Sequence, residues 1–152
     1  MISEVSIEGT SYANYPKNLE AGTPNIAGVI GMRAALAYVN GLEKELIRHE
    51  MKSLTNYCEE KLKSIDEVAL MGSPSDRFGI LSFNIKGIHP HDAASFLNKD
   101  EIAVRAGMHC TQPLLNYLHV PATLRVSFSI YNTKEEVDRL HTSLVELIKF
   151  WS

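Results

Sequence analysis

The chain has 152 residues, of which 45% are apolar and 22% charged, with a formal net charge of −3. That length closes one hydrophobic core, and the composition excludes a disordered chain or a coiled coil. Positive residues are scattered rather than clustered, which argues against a nucleic-acid partner. No apolar run approaches the roughly 18 residues needed to cross a bilayer, and the start MISEVSIEGTS lacks a basic-then-apolar leader, so a cytoplasmic chain without a membrane partner is expected.

Residues 1–24 are rich in Ser, Thr, Asn, Tyr and Gly, with a brief alternation at Val5 and Ile7. They read as a short strand and an extended arm, too long to be left unanchored on a small domain. The arm is expected to lie on something outside this chain. From Asn25, a plausible N-cap, the residues Ile26, Val29, Ile30, Ala34, Ala37 and Tyr38 recur at helical spacing until Asn40-Gly41. A second helix is expected from Leu42 to Lys63, with Ile47, Met51, Leu54, Cys58 and Leu62 along one face. Val68–Met71 and Gly79–Ile85 read as strands joined by GSPSDR. Pro90 suits the first turn of a third helix, and Ile102-Ala103-Val104 reads as a strand. Alternation in TLRVSFSIY sets Leu124, Val126, Phe128 and Ile130 on one face and Arg125, Ser127 and Ser129 on the other. The last helix begins with a capping box, Thr133 and Glu136, and carries Val137, Leu140, Leu144, Leu147, Ile148 and Trp151 on its stripe. The pattern predicts an α+β fold over residues 25–152, a small, largely antiparallel sheet with helices packed on one face.

Two cysteines form no disulfide framework. Cys58 sits on a helical stripe and reads as a small buried hydrophobe. Cys110 lies in RAGMHCTQP, where Gly107 allows a sharp turn and Thr111, Gln112 and Pro113 mark a presented loop. A thiolate there would be favoured by Arg105 and by a charged His109. The residues alone leave three other readings open. One is an ordinary loop cysteine. Another is a Cys–His dyad, which adjacent side chains orient poorly. The third is a metal site from His89, His91, His109 and Cys110, whose spacing is not that of a zinc ribbon. Arg125, between serines on the polar side of a strand, could fork onto a carboxylate or could simply be solvated. Gly22 and Thr23 precede Pro24 and a helix start, where exposed amides and a hydroxyl suit a phosphate as well as a plain cap.

Taken together, LEAGTPNIAGVIGMRAALAYV, GIHPHDAA, IAVRAGMHCTQPLL and ATLRVSFSIYNTKEEVD resemble the carboxy-terminal part of SufS-type (group II) cysteine desulfurases and selenocysteine lyases, in the class V aminotransferase group. The resemblance runs from about Val5 to Phe150. It implies the small domain of a fold-type I enzyme that uses pyridoxal 5′-phosphate (PLP). In that family a cysteine of this loop takes sulfur from cofactor-bound L-cysteine or L-selenocysteine, leaving alanine and a persulfide, and Cys110 matches it. Arg125 matches the carboxylate-binding arginine and Arg105 the arginine at the head of the loop. Gly22 and Thr23 match the turn that reaches the cofactor phosphate of the neighbouring subunit. The resemblance assigns no metal. It implies as partners a second subunit, a large cofactor-binding domain and a sulfur acceptor of SufE or SufU type, in iron–sulfur cluster assembly. Met108 stands where family members often carry histidine, and Leu19 and Asn18 depart from a usual phenylalanine and a commonly basic residue. None of the lysines here follows a histidine, as the family's cofactor-bearing lysine does. The large domain is therefore expected to be missing, with no cofactor retained or turnover by this chain alone. The alternative is a stand-alone, non-catalytic docking module for sulfur-transfer partners.

Overall fold

The computed structural model describes residues 1–73 and 77–151, and so part of the GSPSDR connection, residues 74–76, lies outside the described residues. The chain divides into two compact units, Met1–Glu43 and Lys44–Ser152.

In the first unit, β1 (Ile2–Val5) pairs antiparallel with β2 (Thr10–Tyr12), where a single short strand and an arm were expected. The turn is closed by Ser6, whose amide donates to Gly9 O at 2.9 Å. A 3-10 turn follows at Lys17–Leu19, then helix α1 (Ile26–Asn40). Asn25 caps α1 as its sequence suggests, with Oδ1 accepting from Gly28 N–H at 3.0 Å. Ile26, Val29, Ile30, Met32 and Leu36 are nevertheless all more than half exposed.

The second unit is built around a four-stranded antiparallel sheet of order β3 (Val68–Leu70), β4 (Ile80–Ile85), β6 (Thr123–Ser127), β5 (Arg105–Gly107). Helices α2 (Lys44–Lys63), α3 (Pro90–Lys99) and α5 (Lys134–Trp151) supply the rest of its core, and a short helix α4 (Gln112–Tyr117) follows β5. Strand alternation sends Leu81, Phe83 and Ile85 of β4 and Leu124 and Val126 of β6 inward. They meet Leu54, Cys58 and Leu62 of α2, Ala93 and Leu97 of α3, and Val137, Leu140, Leu144 and Leu147 of α5. Burial of these side chains is the main driving force of the unit.

Four local readings are corrected. Ile102 and Val104 pack partly buried against the core, but ladder pairing begins only at Arg105. After α3 the backbone must first turn, with Glu101 at φ +59 and Ile102 N–H bonded to Leu97 O. Apolar alternation reports burial, and burial does not require a ladder. Thr111–Pro113, read as loop, opens α4, because proline suits a first helical turn as well as a loop. The strand through Phe128 and Ile130 stops at Ser127; Phe128 N–H still donates to Gly79 O at 2.7 Å, and Ile130 is 38% exposed within the turn that Ser129 and Asn132 close. Trp151 is 45% exposed and rests edge-on to Phe150 and Phe96. The capping box of α5 is present: Thr133 N–H donates to Glu136 Oε2 at 3.0 Å, and Glu136 N–H returns to Thr133 Oγ1 at 3.4 Å.

Entry to β4 is fixed by buried polar groups. Arg77 donates to Glu59 Oε1 at 2.7 Å and to the carbonyls of Met71 and Gly72 at 3.0 Å each. Buried Thr55 donates to Met51 O and accepts from Gly79 N–H at 2.8 Å, where Gly79 has φ +68. Thr55→Val keeps the volume but leaves the Gly79 amide without an acceptor. Urea unfolding should therefore show a loss of about 1–3 kcal/mol, the cost of an unsatisfied buried donor. A variant as stable as the unsubstituted chain would remove this bond from the account.

Candidate functional site

Pairing of β5 with β6 sets Arg105 directly opposite Arg125, and pairing of β4 with β6 sets Ser82 on Arg125's other side. Because side chains alternate, these three share with Asn84 and Thr123 the sheet face turned away from the helical core. Like charges directly opposite one another are unfavourable. Neither guanidinium has a hydrogen bond or ion pair with a described residue, and the buried Nε of half-buried Arg125 is without a partner. Two forked donors on the same face, with no carboxylate of the described residues to answer them, are chemically suited to an anion.

The turn leaving β5, past the Gly107–Thr123 pair, carries Cys110. His109 and Cys110 have φ of +53 and +60. That left-handed conformation costs a non-glycine residue roughly 1–2 kcal/mol, so two in succession persist only where other contacts over-determine them. Locally, the Thr111 amide and hydroxyl both donate to Met108 O at 2.9 Å. Across the sheet, His109 Nε2 lies 3.0 Å from Thr123 O and 2.9 Å from Thr123 Oγ1. The His109 pKa is lowered, first by burial and then by the charges of Arg125 and Arg105, with the Thr123 carbonyl opposing them. The shift favours the neutral ring and so weakens any cationic support that His109 could lend the thiol.

Cys110 is exposed, while Cys58 is fully buried on α2 with its thiol pushed up to about 12 by burial. The two cysteines thus have opposite environments, in the sense their sequence contexts suggest. Gly22 and Thr23 lie in the first unit. Gly22 has φ +76 with no atom within 4 Å of where a Cβ would stand, and Thr23 is exposed. Such a turn is open to close approach by a ligand. Among the described residues no group of three or more His, Cys, Asp or Glu is placed to hold a metal. His89 and His91 stack with centroids 5.5 Å apart, and His89 caps α3 by accepting from His91 N–H. A cavity of about 250 Å³ lined by residues including Glu101, Val104, Ser127 and Arg139 contains none of the residues named for the site.

Sequence reasoning missed Thr123. Its signal was available, since it stands two residues before Arg125 on the same strand and hence on the same face.

Residues 1–140 match the family Aminotransferase class-V. A probable cysteine desulfurase of Staphylococcus epidermidis is 43% identical over 153 residues, covering 100% of this chain and 37% of that protein. A probable cysteine desulfurase of Xylella fastidiosa is 43% identical over 149 residues, covering 98% of this chain and 36% of its own length. Among solved structures, the cysteine desulfurase CsdA from Escherichia coli superposes with a TM-score of 0.82 at 37% identity, over 99% of this chain and 37% of that one. The apo cysteine desulfurase of Thermococcus onnurineus gives 0.81 at 37% identity, over 97% and 37%. The chain spans little more than a third of the length of these relatives. It belongs to the class V aminotransferase family and corresponds to the carboxy-terminal region of that family's cysteine desulfurases.

Proposed function

We propose that this chain is the sulfur-accepting part of a PLP-dependent cysteine desulfurase, converting L-cysteine to L-alanine and a persulfide on Cys110 for iron–sulfur cluster assembly. The observation that carries the reading is the unpaired Arg105–Arg125 pair, with Arg105 on the strand whose exit turn holds the exposed Cys110 in a left-handed conformation. A substrate carboxylate answers the guanidiniums, Arg125 taking it in a two-bond fork and Arg105 adding field at the loop head. Held there, the substrate directs its sulfur to a thiol that water and partner proteins can reach.

In the transfer, the Cys110 thiolate forms an S–S bond to the substrate sulfur while the substrate's C–S bond breaks. The bond's electron pair stays with the carbon framework, which takes up a proton and leaves as alanine. PLP, when bound, supplies the electron sink that makes this carbon framework a leaving group. The open Gly22–Thr23 turn offers a hydroxyl and close backbone approach of the kind a phosphate takes, and we assign it to the cofactor phosphate of a neighbouring subunit. The cofactor-bearing lysine belongs to the large domain that the longer relatives possess. Persulfide sulfur then passes to an acceptor protein thiol, of SufE or SufU type.

The test joins the chain to the large domain of a cysteine desulfurase relative and supplies L-cysteine and PLP. Peptide mass analysis should find one added sulfur atom on Cys110, and Cys110→Ala should abolish persulfide and alanine formation while PLP remains bound. Persulfide formed elsewhere in the Cys110→Ala protein would overturn the reading.

A further inference from the structure

His109 engages one ring nitrogen and leaves the other bare. A carbonyl oxygen can only accept, so Nε2, 3.0 Å from Thr123 O, carries the ring proton, and Thr123 Oγ1 at 2.9 Å is the second acceptor of the same N–H. Nδ1 is buried and has no partner among the described residues. Burial, Arg125 and Arg105 all disfavour a second proton on the ring, in keeping with a single Nε2–H tautomer.

The anchor at the other end is rigid. Thr123 is 2% exposed and begins β6, which is paired on one side with β4 and on the other with β5. Arg125 stands two residues along the same strand. The bonds of Thr111 to Met108 O close the turn on itself without tying it to the sheet. The bond from His109 is different in kind, because it reaches from the residue next to the nucleophile to the strand that carries the anion-binding arginine.

We propose that His109 is a positioning residue that, through its Nε2–H clamp on Thr123, holds the left-handed Cys110 turn in fixed register with Arg125. This rests on the reading of Cys110 as sulfur acceptor and explains how two non-glycine residues keep positive φ beside a working thiol. A loop freed from β6 would let the thiol drift relative to a bound carboxylate, and a displacement of that kind is costly to a reaction that depends on alignment.

Two measurements on the chain test it. In a long-range proton–nitrogen spectrum of the unsubstituted chain at pH 7, His109 should show a protonated Nε2 and a pyridine-type Nδ1. An Nδ1–H tautomer or an imidazolium overturns the proposal, whatever any variant does. Amide exchange is then compared in His109→Leu, which keeps bulk but has no donor, and His109→Gln, whose side-chain N–H can reach the same carbonyl. Exchange at Thr111 should accelerate about tenfold in His109→Leu, the effect of losing one hydrogen bond, and return close to the unsubstituted rate in His109→Gln. Equal rates in all three, or a Gln variant as fast as Leu, overturn the clamp. These readouts do not involve sulfur transfer, so a clamp that passes them beside a Cys110 that takes no sulfur would count against the proposed activity alone.

Discussion

Brief exposure of the folded chain to iodoacetamide should label Cys110 and leave Cys58 unmodified. The thiolate is the reacting species, and raising the Cys58 thiol from 9.0 to about 12 lowers its thiolate fraction about a thousandfold at neutral pH. Access compounds the difference, since Cys58 is 0% exposed between α2 and the sheet whereas Cys110 is at the surface of a turn. Modification of Cys58 therefore requires the core to open, and its rate should rise with urea while that of Cys110 changes little. Peptide mapping after short labelling reads both rates. Comparable labelling of the two thiols in the native state would show that Cys58 is not held in the core as described.

In the joined enzyme, Arg125→Ala should weaken the capture of L-cysteine more than any other single change on the sheet face. Losing a half-buried, charge-assisted fork to a carboxylate costs about 2–5 kcal/mol, equivalent to a rise of about thirtyfold to several thousandfold in apparent KM. Much of that cost comes from leaving the substrate carboxylate unpaired beside Arg105. Arg125→Lys restores the charge but not the two parallel donors, and should fall between the two. In both variants kcat should change much less than KM, because the thiol and its turn are untouched. Steady-state kinetics decide the matter, and an Arg125→Ala enzyme with unchanged KM would move the carboxylate site elsewhere.

Much of the fold is legible in the sequence because its signals are local. The alternation of Leu124 and Val126 against Arg125 states which side of β6 faces the core, and the reciprocal bonds of Thr133 and Glu136 follow from residues three apart. The stripe of α2 likewise places Cys58 in the core before any packing partner is known. Patterns of the same kind overreach where a neighbour decides the outcome. Ile102 and Val104 look like a strand because they are packed, although only the next three residues pair with β6. Trp151 continues the α5 stripe, yet the core ends at Leu147 and the indole meets Phe96 and Phe150 instead.

The sequence by itself determined the family and the α+β class and singled out candidate chemical groups, because motif residues and their spacing are properties of the chain read in order. Two cysteines with different neighbours could be separated on that basis. Only the tertiary structure decided how those groups meet. Arg105 and Arg125 are twenty residues apart, and nothing in their local context says that antiparallel pairing will set one opposite the other without a counter-charge. The tautomer of His109 depends on a carbonyl fourteen residues away. Helix α1 makes the same point from the opposite side: Ile26, Val29 and Ile30 repeat as regularly as Leu54, Cys58 and Leu62, and only the second set is buried. Periodicity fixes the conformation of a segment through contacts along the chain, whereas burial, charge pairing and protonation are set by the groups that long-range folding brings beside it.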